Sequence, residues 1–267
     1  MRNEEEISAI SKSWGEALSK WVLPEELINK APKNPYRLDP STFKPDPIRR
    51  NSGTVVELER IISDRHTASR SLLDVGSASG GISLLVAAGF EEIIAVDQSR
   101  EMLNAFTENA TELGLIDRVR TIHSNWPTTE KISADIVLNA NVLYNVANPG
   151  VFVKALIEAA RNRVIIEVTK SHPLSNVNQL YEHFHGIKRP TTPTSDDVIA
   201  LIHAFGYDPQ VVSWSRESSN HKQDYEARMD QIQARACIED ERRKELMEYL
   251  ESHKLETMEV VMIAFDK

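Results

Sequence analysis

Cysteine is nearly absent: Cys237 is the single one in 267 residues. That excludes an intrachain disulfide framework and is compatible with a reducing compartment. Long hydrophobic runs are missing too. No window reaches the ~18 uninterrupted apolar residues of a membrane span, and the opening MRNEEEISAI lacks the apolar core of a secretory signal. No membrane partner and a cytoplasmic location are therefore expected. Positive charge is in deficit, with 31 Lys and Arg against 40 Asp and Glu and a net charge of −9. Binding a phosphate backbone usually takes a basic surface. Arg49-Arg50 and Arg242-Arg243-Lys244 are only short islands in mixed charge, so nucleic acid is not an expected partner.

What is present suffices for a packed core. The hydrophobic fraction is 41%, and the length fits one large domain or a domain with a modest appendage. Ile7, Ile10, Trp14, Leu18 and Trp21 recur at helical spacing and predict a helix over 4–22. Six prolines at 24, 32, 35, 40, 45 and 47 predict an extended surface wrap after it. The appendage is thus 1–52 and the main domain 53–267, with a leading helix over 53–68.

An alternation follows. Strands are predicted at 71–76, 92–97, 119–124, 134–139 and 163–168, with helices at 80–89, 99–113 and 149–161. Such repetition means a doubly wound, mostly parallel sheet with helices on both faces, and the unbroken apolar run RVIIEV fits a strand covered on both sides. Beyond 168 the rhythm changes. The segment 169–205 carries a short helix at 175–184 and a capped helix that starts at Thr194 or Ser195 and ends at Gly206. A strand at 209–215, one long charged helix over 222–253 and a terminal strand TMEVVMIAFD complete the chain.

The chemistry concentrates at SLLDVGSASGGISLL, where an apolar strand runs through Asp74 into Gly76-Ser77-Ala78-Ser79-Gly80-Gly81 and on into a helix. A turn with so little side-chain bulk lets a ligand approach the backbone, and a helix start adds N–H groups and a dipole. Asp97, 21 residues after Gly76, ends the next strand, where a carboxylate can accept both hydroxyls of a ribose. The dinucleotide pattern G-x-G-x-x-G does not fit this spacing and gives Asp74 no role.

The residues do resemble the class I S-adenosylmethionine-dependent methyltransferases, over roughly 55–170 and at the terminal strand. The acidic residue and G-x-G-x-G of that family's first motif are matched by Asp74, Gly76, Ala78 and Gly80, with Ser77 inside the turn and Ala78 the departure. VDQSREML resembles the second motif, which implies Asp97 on the ribose with Gln98 and Met102 flanking the adenine. HSNWP places Asn125 and Trp126 at the adenine edge, with Asn125 where an Asp is common. NANVLYNV resembles the fourth-strand segment, which implies Asn139 and Asn141 at the amino acid end of the cofactor.

The resemblance implies a seven-stranded Rossmann-like sheet with an N-terminal helical lid and a helical insertion before the last strand. It implies methyl transfer to a small-molecule acceptor, on oxygen or nitrogen, by in-line displacement. Two alternatives stay open: a non-catalytic S-adenosylmethionine-binding regulator or partner subunit, and a methyltransferase of RNA or protein. A homodimer is compatible with the chain. Tyr144 is the candidate to line the methyl-transfer site and His185 the candidate general base toward a hydroxyl. His172 and His183 share that segment, but no completing Cys or carboxylate set accompanies them, so no metal is expected. Trp14, Trp21, Tyr36 and Phe43 are candidates to line the lid, with packing against the core as their alternative, and Cys237 is expected to be packed.

Overall fold

A computed structural model describes residues 2–64, 70–216 and 224–267. Seven strands form one sheet: β1 (Ser71–Val75), β2 (Glu92–Asp97), β3 (Val119–His123), β4 (Ala134–Ala140), β5 (Ala160–Thr169), β6 (Gln210–Ser215) and β7 (Glu259–Asp266). Their order is β3-β2-β1-β4-β5-β7-β6. All neighbours are parallel except β7, which runs antiparallel to both β5 and β6. The order reverses between β1 and β4, so the carboxyl ends of β1, β2 and β4 flank the switch point where open sheets of this type bind ligands. Because β6 runs parallel to β5, its carboxyl end reaches the same edge.

Among the described residues ten α-helices accompany the sheet: α1 (Arg2–Ser19), α2 (Glu25–Ile28), α3 (Gly53–Ser63), α4 (Ser83–Val86), α5 (Arg100–Glu112), α6 (Pro149–Ala159), α7 (Asn178–His185), α8 (Ser195–Ala204), α9 (Asp224–Arg235) and α10 (Arg243–Ser252). Alternate strand residues face opposite layers. Leu73, Val75, Val96, Val137 and Ile166 pack with α1, α6 and α8, whereas Leu72, Ile93, Ile136, Leu138 and Ile165 pack with α3, α4 and α5. A third apolar cluster joins α2, α7, α9 and α10 through Leu27, Tyr181, Met229 and Leu246. No helix among the described residues is long and apolar enough to cross a membrane.

Three expectations are corrected. The helix foreseen over 80–89 shrinks to the four residues of α4 and a 3-10 turn at Ala87–Gly89. Gly80 sits at φ +89°, which no helix tolerates, and Gly89 lies against Ile62, where a Cβ would come within 2.5 Å. The wrap is less extended than its prolines suggest. It holds α2 and 3-10 turns at Pro40–Phe43 and Pro47–Asn51, each of those turns with proline at its start and an Asp side chain accepting from the turn's N–H.

The long helix over 222–253 is two helices; its first residues, 222–223, lie outside the described residues, as do 65–68 of the helix expected over 53–68. Burial explains the break. Ala236, Cys237 and Ile238 turn into the third cluster, with Cys237 at φ +53°. The carbonyls freed at the end of α9 are satisfied from α7: Tyr181 Oη donates to Arg235 O at 2.7 Å, and His185 Nε2 lies 2.8 Å from Ala236 O.

The N-terminal helix belongs to the core layer. Trp14 is 1% exposed, stacks on Tyr144 at 5.4 Å, and donates from Nε1 to Val146 O at 2.9 Å. Trp21 is buried too and bonds Thr192 O at 2.6 Å. Trp14→Ala leaves a large cavity and an unpaired carbonyl. It should cost about 3–5 kcal/mol of stability, readable as a lower denaturant midpoint. A loss under 1 kcal/mol would mean that α1 is a detachable cover.

Candidate ligand site at the carboxyl edge of the sheet

The glycine turn is fixed to the neighbouring strand by backbone bonds. Gly76 N–H and Ser77 N–H both donate to Val96 O, at 2.8 and 3.1 Å, and Ala78 N–H donates to Asp97 Oδ2 at 2.9 Å. Gly76, Ala78 and Gly80 all lie at positive φ. At Gly76 a side chain is excluded twice over, since a Cβ would also lie 2.3 Å from Val142 Cγ2. Gly76, Ala78, Asp97, Ala140, Asn141 and Val142 remain partly exposed while the residues behind them are buried, so these six form the open floor at the tips of β1, β2 and β4. With α4 only four residues long, the turn offers close backbone approach rather than a helix dipole.

Behind this floor lies buried polarity without partners. Ser77 Oγ, Ser83 Oγ and Asn139 Oδ1 are buried and make no hydrogen bond, although Asn139 Nδ2 donates to Val75 O at 2.8 Å. Unpaired buried polar atoms cost free energy, and three of them beside a small-residue turn fit a polar ligand. Asp74 is 3% exposed. Burial pushes its pKa up to about 7, and the Asp97 charge adds to the rise. The nearby Ser83 hydroxyl opposes the rise but stands outside good hydrogen-bond geometry. Asp97 has spent one lone pair of each oxygen, on Ala78 N–H and on Ser99 N–H at 2.8 Å. A carboxylate offers about four such sites, so two remain for a diol. The donor and acceptor set therefore fits S-adenosylmethionine.

A second network borders the floor. Asn141, at φ +59°, donates from Nδ2 to Glu167 Oε1 at 2.8 Å, and Thr54 Oγ1 donates to Glu167 Oε2 at 2.6 Å. Arg216 Nη2 reaches Asn141 Oδ1 at 3.4 Å. The wrap closes over the turn from the other side: Ser79 Oγ donates to Pro40 O at 2.6 Å, and Phe43 O and Arg49 Nη1 come within 2.6 and 3.2 Å of where Gly81 would carry a Cβ. Sequence reasoning missed Glu167, Thr54, Arg49 and Arg216. Glu167 had a readable signal, as a carboxylate inside a strand expected to be buried on both faces.

Other candidates lie elsewhere or are otherwise engaged. Tyr144 is buried under Trp14, and its hydroxyl donates to Thr169 O at 2.8 Å; burial raises its pKa, with Asp197 and Asp196 adding and the Thr169 bond opposing. Its contacts are those of a packing residue. His185 caps α9, as described, so its ring is turned to the third cluster and not to the turn. His172 stacks on Trp21 at 4.0 Å and is held neutral by burial, its pKa down to about 3, with Arg189 and Arg235 reinforcing the shift. His183 faces Glu245 at 3.6 Å, so the three histidines do not converge, and no metal-binding cluster occurs among the described residues. Trp126 is half-buried and donates to Phe152 O at 3.3 Å. Met102 is buried, whereas Gln98 and Asn125 are exposed near the tips of β2 and β3. A groove of about 680 Å³ between α1 and α6, lined by Ile7, Ser11, Lys12 and Lys154 among others, lies apart from the turn. The buried orphans mark the site better than its volume does.

Residues 66–249 match the family model of a methyltransferase domain. No curated protein matches the chain. Among solved structures, a methyltransferase from Geobacter sulfurreducens in complex with S-adenosyl-L-homocysteine superposes with TM-score 0.54 at 15% identity, over 92% of this chain and 98% of that one. Magnesium protoporphyrin IX methyltransferase from Synechocystis PCC 6803 gives 0.53 at 10% identity, over 79% and 80%. Geranyl diphosphate C-methyltransferase from Streptomyces coelicolor A3(2) gives 0.50 at 16% identity, over 79% and 75%. At these identities the likeness is one of fold.

The raised pKa of Asp74 has a thermodynamic sign. Between the ordinary pKa of 3.8 and about 7, the folded chain holds a proton that the unfolded chain releases. This group's contribution to stability thus falls as pH rises through that window, by about 4 kcal/mol at most. Asp74→Asn should therefore raise Tm of the ligand-free protein at pH 8 and leave it nearly unchanged near pH 4. Equal gains at both pH values would show that Asp74 is not buried as a strained carboxylate.

Proposed function

The chain belongs to the methyltransferase-domain family, and on that premise we propose that it transfers a methyl group from S-adenosylmethionine to a small-molecule acceptor. The observation that carries the proposal is the glycine turn tied to Asp97 with three orphaned polar atoms behind it. Gly76, Ser77, Ala78 and Gly80 would receive the methionine portion, and Asp97 the ribose through its two free lone-pair sites. Gln98, Met102 and Asn125 would border the adenine. Asn139, with an unpaired buried oxygen, and Asn141 would face the amino acid end. When bound, S-adenosylmethionine supplies a methyl group on a sulfonium sulfur, so alignment and desolvation can provide much of the rate.

The chain's own contribution is therefore positional. Asp74 is poised to stabilise a positive charge nearby, because a cation would return its carboxyl to the ionised form. The wrap at Pro40–Arg49 excludes water from one side of the turn, and the Glu167 network stiffens the other. No proton-transfer role is assigned to Tyr144 or His185, whose Oη and Nε2 are engaged with main-chain carbonyls. A small acceptor is favoured by this closure around the turn. Two of the fold neighbours carry names of small-molecule methyltransferases, which is consistent with it.

Calorimetry with S-adenosyl-L-homocysteine tests the ribose assignment. Asp97→Ala should weaken binding by about 1.5–3 kcal/mol, the scale of hydrogen bonds to a charged group, and NAD should not bind the wild type. Equal affinity for wild type and variant would remove Asp97 from the site.

A further inference from the structure

Three arginines from distant segments meet at the edge of the cleft with no acidic partner among the described residues. Arg49 comes from the wrap, Arg216 from the end of β6 and Arg235 from the end of α9. None of them forms an ion pair with a described carboxylate. Among the described residues the Arg49 guanidinium bonds only Thr42 O, at 3.5 Å, and that of Arg216 only Asn141 Oδ1, at 3.4 Å. Arg216 is close enough to interact with each of the other two. Desolvation lowers the pKa of Arg216, with Arg49 adding to the fall and Glu167 opposing it. Desolvation lowers that of Arg235, with Arg216 adding. Arg216 keeps a solvent-exposed face although protein crowds it, as expected of a side chain in an open recess. Among the described residues Glu167 is the acid that acts on Arg216, and both its oxygens are already bonded to Asn141 and Thr54. Among the described residues, three cations against one carboxylate is a marked local excess in a chain of net charge −9.

Like charges held together raise the free energy of the empty site, and an oxyanion lowers it through the paired N–H groups of guanidinium forks. The position of the cluster matters. Asp97 and the turn lie on the β1–β2 side of the switch point, whereas Arg216 and Arg235 lie beyond Asn141, toward the carboxyl ends of β5 and β6. Three guanidinium groups also exceed what a single amino acid carboxylate needs. We infer that the methyl acceptor is an anionic small molecule whose carboxylate or phosphate group is held by Arg216 and Arg235. This deepens the methyltransferase reading and rests on it. The local field would also draw such an acceptor toward a protein whose overall charge repels it.

Thermal melts of the full chain, saturated with S-adenosyl-L-homocysteine, test the inference with inorganic phosphate and succinate as probes against chloride at matched ionic strength. A saturable rise in Tm with phosphate, succinate or both is expected, and the stronger probe identifies the acid class. The double variant Arg216→Gln/Arg235→Gln should need at least tenfold more probe, while its calorimetric affinity for S-adenosyl-L-homocysteine stays within threefold of wild type. The inference is overturned if neither probe exceeds chloride in the wild type, or if the variant responds as the wild type does. A tenfold loss of S-adenosyl-L-homocysteine affinity in the variant also overturns it, since the arginines would then serve the cofactor's carboxylate. The wild-type melts decide the matter even if the double variant does not fold, and Arg216→Lys then supplies a charge-retaining comparison. Absence of S-adenosyl-L-homocysteine binding in the wild type counts against the methyltransferase reading itself, a result separate from the anion response.

Discussion

The tie between the glycine turn and the tip of β2 is the constraint on which the site depends. Gly76 and Ser77 give their N–H groups to Val96 O, and Ala78 gives its own to Asp97. These bonds hold Gly76 and Ala78 at positive φ, where a large side chain is disfavoured. The turn therefore cannot be larger, and the carboxylate that anchors it is the one presented to the cleft. One arrangement thus sets the floor, the position of Asp97 and the gap between β1 and β4. The sheet supplies the rigidity: Val75 and Asn139 are paired neighbours, so the turn and the end of β4 cannot drift apart.

Around that rigid floor the molecule stores unfavourable electrostatics. Asp74 is buried with only a poorly placed hydroxyl, Asn139 leaves an oxygen unpaired, and Arg49, Arg216 and Arg235 crowd together. Each would lower its free energy on contact with a charge of the right sign. Asp74 lies on the β1 side of the switch point, whereas Arg216 and Arg235 lie beyond Asn141 on the other. That separation suits a cationic donor and an anionic acceptor meeting between them.

Much of this was legible in the sequence, for physical reasons that can be named. The central strands were readable because buried parallel strands are largely apolar runs, and the turn because its residues have no bulk. Asp97 stood out by its spacing to Gly76, and Asp74 by the resemblance of the turn to the family's first motif. The break at Cys237 was not, since it depends on Tyr181 and His185 reaching across from α7 to take the last carbonyls of α9. Tyr144 was expected to line the methyl-transfer site, yet the fold places Trp14 on its face and Thr169 O on its hydroxyl. The arginine cluster joins positions up to 186 residues apart in sequence (49 to 235), and local pattern carries no trace of it.

The central claim is that the turn is small because the amino acid portion of S-adenosylmethionine lies against it. A crystal structure with S-adenosyl-L-homocysteine bound measures this most directly. The homocysteine portion should lie over Gly76–Gly80, with both ribose hydroxyls within hydrogen-bond distance of Asp97 and a polar group on Asn139 Oδ1. Density for the ligand away from the tips of β1 and β2, with Asp97 still bonded only to Ala78 and Ser99, would contradict it.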